Sequence, residues 1–220
     1  MNALVIKIIA LSTMIIDHYG AVFQSGIDIY RIIGRLSFPI YCFLLVEGYF
    51  HTSDVKKYAL RLLMFAFISE IPFDLAFFNE IGFVHQNIFF TLFLGLVTIY
   101  IIDDKSINLK YVKYAAIPVS CILAIVLAVD YNIIGIIYIL SFYYTKKHTK
   151  LKRFSLIGLI MASANLGAYI LQQFSLLALP IVYFYNGKPG PKNKFLQVSF
   201  YAAYPLHLLL FYLIKSRFLF

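Results

Sequence analysis

The residues that could do chemistry in this chain are the ones a lipid bilayer would refuse. Asp17 and His18 are neighbours inside an apolar run, and Arg31 and Arg35 lie four apart in the next one. Glu47, His51 and Arg61 follow, then Glu70 and Asp74 around Pro72 near the end of a third run. His85, Asn87 and Thr91 open a fourth run, and His207 sits in the last. A charge at the centre of a spanning helix costs about 2.5–3.5 kcal/mol on insertion scales. The set must therefore face itself, a cavity or water, and such residues are functional candidates by default. The plain alternative for each is an ion pair that locks helices together, or an end residue that snorkels.

Helical geometry limits which of them can meet. Adjacent helical residues point about 100° apart, so Asp17-His18 is not a charge relay. Arg31 and Arg35 share a helix face, and Asp17 is expected to pair with one of them. His18 is then left to point into a cavity, oriented by some other acid. His207 follows Tyr204-Pro205; proline frees backbone carbonyls near it. That suits either a cavity-lining imidazole or one bonded to a neighbouring carbonyl. His85 lies in a loop and needs no special explanation.

Several signatures are missing. The chain has no His-x-x-x-His or cysteine cluster for a metal, no phosphate-binding glycine loop and no Gly-x-Ser-x-Gly elbow. What remains is histidine as a base or acyl carrier, with acids and arginines for orientation and oxyanion stabilisation. No metal is expected. Cys42 and Cys121 both lie in apolar runs and read as packing residues.

The elements that must position these groups follow from composition. Of 220 residues, 62% are apolar or aromatic and 13% are charged, against about 45–50% and about 25% in soluble domains. That excludes a disordered chain and an ordinary soluble domain. It predicts an all-α polytopic membrane bundle forming one domain over residues 1–220. A spanning helix needs about 20 apolar residues. Candidate spans are 3–23, 29–50, 56–78, 87–102, 112–129, 131–144, 154–171, 174–185 and 197–214, or about nine, with the sixth and eighth short. The first carries Asp17 and His18 without a small-residue cleavage site, and reads as a retained span rather than a signal peptide.

The formal charge of +9 could suggest nucleic acid, but its distribution argues otherwise. All Lys and Arg except Arg31, Arg35, Arg61, Lys215 and Arg217 fall in one alternating set of linkers, with Lys7 on the same side. The positive-inside rule then places the N-terminus in the cytosol. Lys215 and Arg217 fall on the wrong side of that scheme. Under it Asp17, His18, Arg31, Arg35, Glu70 and Asp74 gather in the outer half, and Glu47, His51 and Arg61 form a smaller inner group. A proton-coupled transporter would also use such residues, although no repeated halves are visible. A non-catalytic membrane assembly protein, with its charges locking helices, is a third reading.

The order of short elements resembles one known family. Met14-Ile15-Ile16-Asp17-His18-Tyr19-Gly20 is similar to the opening element of the TraX family. Gly34-Arg35-Leu36-Ser37-Phe38-Pro39 with Glu47-Gly48-Tyr49 and His51-Thr52 resembles its second. Tyr58 to Leu62 and Ser69 to Phe73 resemble the third, Asn87 to Thr91 with Gly95 the fourth, and Tyr204 to Leu208 the C-terminal one. The resemblance is dense over residues 10–100 and returns near 200–210. It implies a transmembrane acyltransferase of the bacterial cytoplasmic membrane. Acetyl-CoA from the cytosol would be the donor, and a peptide N-terminus, sugar or hydroxyl on the far side the acceptor. The same resemblance makes His18 the central histidine, with Asp17, Glu70 and His207 in catalysis. It leaves Arg31, Arg35, Arg61, Asn87 and Thr91 as donor-binding candidates. The expected route is a tunnel, with phosphates held near Arg61, Lys56, Lys57 or the Lys146–Arg153 loop and the thioester reaching His18. The expected partners are acetyl-CoA, the acceptor and the bilayer. No nucleic acid is expected, and a homo-oligomer is compatible with all of this.

Overall fold

The computed structural model describes residues 1–24, 26, 28–107, 109–191 and 193–218, without the side chain of Phe218. Lys192, one of the linker bases, lies outside the described residues. Ten α-helices run in the order α1 Ala3–Phe23, α2 Asp28–Gly34, α3 Ser37–His51, α4 Val55–Phe78, α5 Ile88–Asp103, α6 Lys110–Val126, α7 Asn132–Tyr144, α8 Lys150–Ala164, α9 Ala178–Tyr183 and α10 Lys194–Phe218. Tighter 3₁₀ turns occupy Thr145–Lys147, Asn165–Gly167 and Ile170–Leu177. Among the described residues there is no strand, only a single bridge between Gln86 and Val129.

The surface is turned inside out. On α4 the exposed side chains include Leu60, Met64, Phe67, Ile68 and Ile71, one stripe at helical spacing. Phe67 is 65% exposed, while Ser69 and Asp74 of the same helix are buried. An apolar stripe outward with polar groups inward is the pattern of a lipid-facing helix, since soluble monomers rarely expose large apolar patches. The protein is an all-helical membrane protein.

The helices correct the span map in places. The stretches Ala3–Phe23, Asp28–His51 and Lys194–Arg217 are long and apolar enough to cross a membrane. The second is interrupted at Arg35-Leu36, so the expected 29–50 span is two helices, α2 and α3. The helix α4 has 24 residues but carries Lys56, Lys57, Arg61, Glu70 and Asp74. The 13 residues of α7 reach about 20 Å, short of a hydrocarbon core of about 30 Å. The expected 154–171 span is α-helical only to Ala164, and the expected 174–185 span is a 3₁₀ segment followed by the six-residue α9. The region 165–183 is therefore a broken, tightly wound segment.

Local chemistry sets the ends that matter. Asn2 caps α1 by accepting from the Val5 N–H at 3.0 Å, and Asp54 caps α4 by accepting from Lys57 at 2.9 Å. The α1–α2 hairpin closes tightly because Gly34 has no side chain: a Cβ there would collide with the Asp17 carboxylate. The helix α1 also packs on α3 and α10, and α10 packs on α4. These five helices enclose the site.

Candidate functional site

His18 projects from α1 toward α10, where its Nδ1 lies 2.6 Å from Nε2 of His207. The two rings lie end to end and nearly coplanar, with centroids 4.9 Å apart and 11° between planes. The other nitrogen of His207, Nδ1, lies 2.6 Å from the carbonyl oxygen of Ala203. A carbonyl only accepts, so His207 Nδ1 must carry the proton. In the neutral pair His207 Nε2 is then an acceptor, and His18 Nδ1 is its donor. The proton order along the chain leaves His18 Nε2 with a free lone pair. Among the described residues nothing bonds to that atom, and His18 lines a cavity of about 290 Å³. The group orienting His18 is thus an imidazole, not the acid that the spacing suggested.

The arginine pairing expected from spacing is present. Arg31 NH1 donates to Asp17 Oδ2 at 2.5 Å, and Arg35 NH2 stands 3.7 Å from Oδ1. Arg35 also donates to Gln172 Oε1 at 3.2 Å and lies over the Tyr131 ring at 5.8 Å. Gln172 belongs to a buried network. Its amide donates to the Tyr138 hydroxyl at 3.3 Å, and that hydroxyl bonds Asn165 and Ser175, each at 2.7 Å. This network pins the broken 165–177 segment against the arginines. Asp17, Arg31 and Arg35 line the histidine cavity with His85, Asp130 and Tyr131.

The far rim of that cavity is a strained turn. Ala128, Tyr131 and Asn132 all have positive φ, a costly state for residues with a side chain. Gln86 holds the turn from both sides: its N–H donates to Ala128 and its carbonyl accepts from Asp130, at 3.0 and 2.9 Å. Thr91 donates its hydroxyl to the Asp130 carbonyl. The result sets His85 Nε2 3.7 Å from the Asp130 carboxylate. That carboxylate holds the His85 imidazole above its ordinary pKa, against the opposing effect of partial burial.

A second cavity, of about 380 Å³, lies toward the end of the bundle that carries the chain's N-terminus. Lys7, His51 and Arg61 supply its basic groups. Arg61 stands over the Tyr58 ring at 5.5 Å, and its buried Nε has no partner among the described residues. The two cavities share Met14, Tyr41, Ile88 and Tyr204, which form the collar between them.

Other residues singled out from sequence serve the fold. Glu70 and Asn87 bond each other, and the Asn87 amide also donates to the Ala66 carbonyl at 2.7 Å. Asn87 caps α5 by accepting from Phe89 at 3.1 Å. Glu70, Asn87 and Thr91 line neither of the two cavities, so they are corrected to joints between α4, α5 and the 128–132 turn. Glu47 does not join Arg61. It takes Lys146 at 2.8 Å and Arg153 at 3.8 Å, which removes those bases from the expected phosphate contacts. Lys57 pairs with Asp54 at 3.2 Å, and Lys56 lines a separate pocket against α5. Lys7, Tyr41, Phe77 and Tyr131 line the cavities, although the sequence marked Lys7 only for topology and the other three not at all. Among the described residues no group of three or more His, Cys, Asp or Glu could hold a metal ion.

An imidazole pair and an aspartate–arginine cluster, at one of two adjoining cavities in an all-helical membrane protein, make up the candidate site. The TraX protein family model matches residues 3–215, and the chain belongs to that family. It is 30% identical over 239 residues to "Probable fimbrial assembly protein FimC, serogroup H1" of Dichelobacter nodosus, covering 95% of this chain and 93% of the relative. It is 29% identical over 150 residues to "Uncharacterized protein RP591" of Rickettsia prowazekii (strain Madrid E), covering 67% and 57% respectively. No solved structure matches.

Proposed function

We propose that this chain is a transmembrane acyltransferase of the bacterial cytoplasmic membrane, moving an acetyl group from cytosolic acetyl-CoA to an acceptor on the opposite face. The observation that supports it most is the His18–His207–Ala203 chain, which presents His18 Nε2 as a base in the cavity adjoining the basic one. The bundle crosses the bilayer several times, with the N-terminus and Lys7 on the cytosolic side. The CoA phosphates meet Lys7, His51 and Arg61, which supply the basic groups of that cavity. The pantetheine arm passes the Met14–Tyr41–Ile88–Tyr204 collar, bringing the thioester to His18.

There His18 Nε2 takes the proton of an amine or hydroxyl as that group attacks the thioester carbonyl. The new C–N or C–O bond forms, the C–S bond breaks, and the proton passes to the leaving thiolate. Arg31 or Arg35 stabilises the oxyanion. His18 could equally accept the acetyl group itself in a two-step cycle. The relative's name, a fimbrial assembly protein, favours a surface-filament subunit as acceptor, through its N-terminal amine.

The same name also favours a second reading, a non-catalytic assembly protein whose ion pairs only hold helices together. Purified protein in detergent, supplied with acetyl-CoA labelled in the acetyl group, separates the two. Loss of label from CoA with wild type but not with His18→Ala supports the transferase, and label retained on the protein supports the two-step cycle. A folded wild type that neither binds nor consumes acetyl-CoA overturns the transferase and leaves the assembly reading.

A further inference from the structure

The cavity around His18 has a mixed lining. Asp17, Arg31, Arg35, His85 and Asp130 are its charged and imidazole groups; Phe38 and Ile88 are among its apolar ones, and Phe73, Phe77 and Phe78 of α4 form an apolar group beside His18. Phe77 meets His18 edge-on with centroids 5.3 Å apart, and Phe73 backs Phe77 at 5.0 Å. Met14 precedes His18 by one turn, about 6 Å along α1, and belongs to the collar. A thioester carbonyl attacked beside His18 becomes a tetrahedral carbon with four substituents. Its sulfur must trail back toward Met14. Its oxygen and the attacking acceptor are polar and belong with the arginines and Asp130. The acyl chain is the one apolar substituent, and Phe77 is the apolar ring that meets His18 outside the collar.

We propose that Phe77, backed by Phe73, sets the length of the transferred acyl group by closing the space beyond its first methyl. This inference rests on the transferase reading and names the residue that restricts its donor to short acyl chains. A longer chain would have to displace the Phe77 ring, which Phe73 and His18 hold from two sides. One methylene in a well-fitted pocket discriminates by about 10–200-fold.

The test is competition for bound radiolabelled acetyl-CoA on the purified full chain, with unlabelled acetyl-CoA, butyryl-CoA and CoA as competitors, and needs no acceptor. In wild type butyryl-CoA should compete at least about tenfold less well than acetyl-CoA. Phe77→Ala should bring the two within about threefold and leave CoA unchanged, with Phe77→Leu between. Phe67→Ala, on the outer face of the same helix, should leave the ratio as in wild type. Phe77→Leu decides the matter should Phe77→Ala not fold. Equal competition in wild type, or a ratio that neither variant moves while CoA still binds, overturns the proposal alone. Absence of any acetyl-CoA binding by folded wild type overturns the transferase reading and this inference with it.

Discussion

His207 is held one turn from Ala203 by its own Nδ1 and receives the Nδ1 proton of His18 on its other nitrogen, both at 2.6 Å. One backbone carbonyl thereby fixes the tautomers of two imidazoles. His207→Leu removes the acceptor and leaves His18 free to place its proton on Nε2, where it blocks the lone pair. Turnover should fall by about 10²–10⁴-fold, the usual worth of a positioned base, with acetyl-CoA affinity kept. His207→Gln, whose amide oxygen can accept from Nδ1–H, should recover part of the rate. Turnover and binding measured side by side check this: loss of both together would make His207 a packing residue only.

The Asp17 carboxylate occupies the space that a Cβ on Gly34 would take. Gly34→Ala must push α2 off α1 or turn Asp17 away from Arg31 and Arg35. Overpacking of this kind costs about 1–3 kcal/mol, and turning the part-buried Asp17 carboxylate away from its arginines adds to that cost. The variant should melt well below wild type by thermal shift in detergent. A near-wild-type melting point would show that the hairpin is looser than drawn.

Gln172 joins Arg35 to the Tyr138 hydroxyl. Gln172→Leu is nearly the same size but leaves the guanidinium and the hydroxyl each short of a partner, worth about 1–3 kcal/mol per buried group. If Gln172 positions Arg35, turnover should fall while the Michaelis constant for acetyl-CoA stays put, because the proposed function puts the donor phosphates in the other cavity. Equal loss of both would assign Gln172 to the fold alone.

How legible all this was in sequence depends on range. The helix α1 is read off to both ends, because its apolar run is local. The Asp17–arginine pairing follows from helix spacing plus a tight hairpin. The His18–His207 pair spans 189 positions, and no local pattern encodes which helix lies against α1. Asn87 and Thr91 misled because a polar residue at the start of an apolar run is as much a capping signal as a binding one. The 165–183 segment read as spans because its hydropathy is high. Its 3₁₀ winding comes from the Asn165–Tyr138–Ser175 network, which is tertiary. Lys7 served as a topology marker, and only the packed α10 shows that it also lines a cavity.

Arg61 and Lys7 line the basic cavity from α4 and α1. Arg61→Gln keeps much of the stem but loses the charge, and Lys7→Gln does the same on the facing helix. Each should weaken CoA binding by about tenfold, in line with a charge-assisted hydrogen bond of about 1.5–3 kcal/mol. Dephospho-CoA and pantetheine report which phosphate is involved: a variant that binds pantetheine as wild type does, but CoA poorly, has lost a phosphate contact. Unchanged CoA binding in both variants would move the phosphates elsewhere.

The His85–Asp130 contact predicts a pH signature at the rim of the histidine cavity. His85 titrates above its ordinary value in the folded protein because the Asp130 carboxylate stands beside it. A raised folded-state value means that the pair's contribution is complete below the unfolded imidazole value of about 6.5. The contribution is lost as pH rises through the higher folded one. Both side chains are more than a third exposed or close to it, so the effect is a small one, screened by salt. Asp130→Asn keeps the side-chain oxygen that accepts from the Tyr131 N–H at 3.0 Å, which isolates the charge. The melting temperature of wild type should exceed that of Asp130→Asn by more at about pH 5.5 than at about pH 9. Adding His85→Gln should make the gap independent of pH. A gap that grows toward high pH would mean that Asp130 answers chiefly to Arg31 and Arg35 across the cavity rather than to His85.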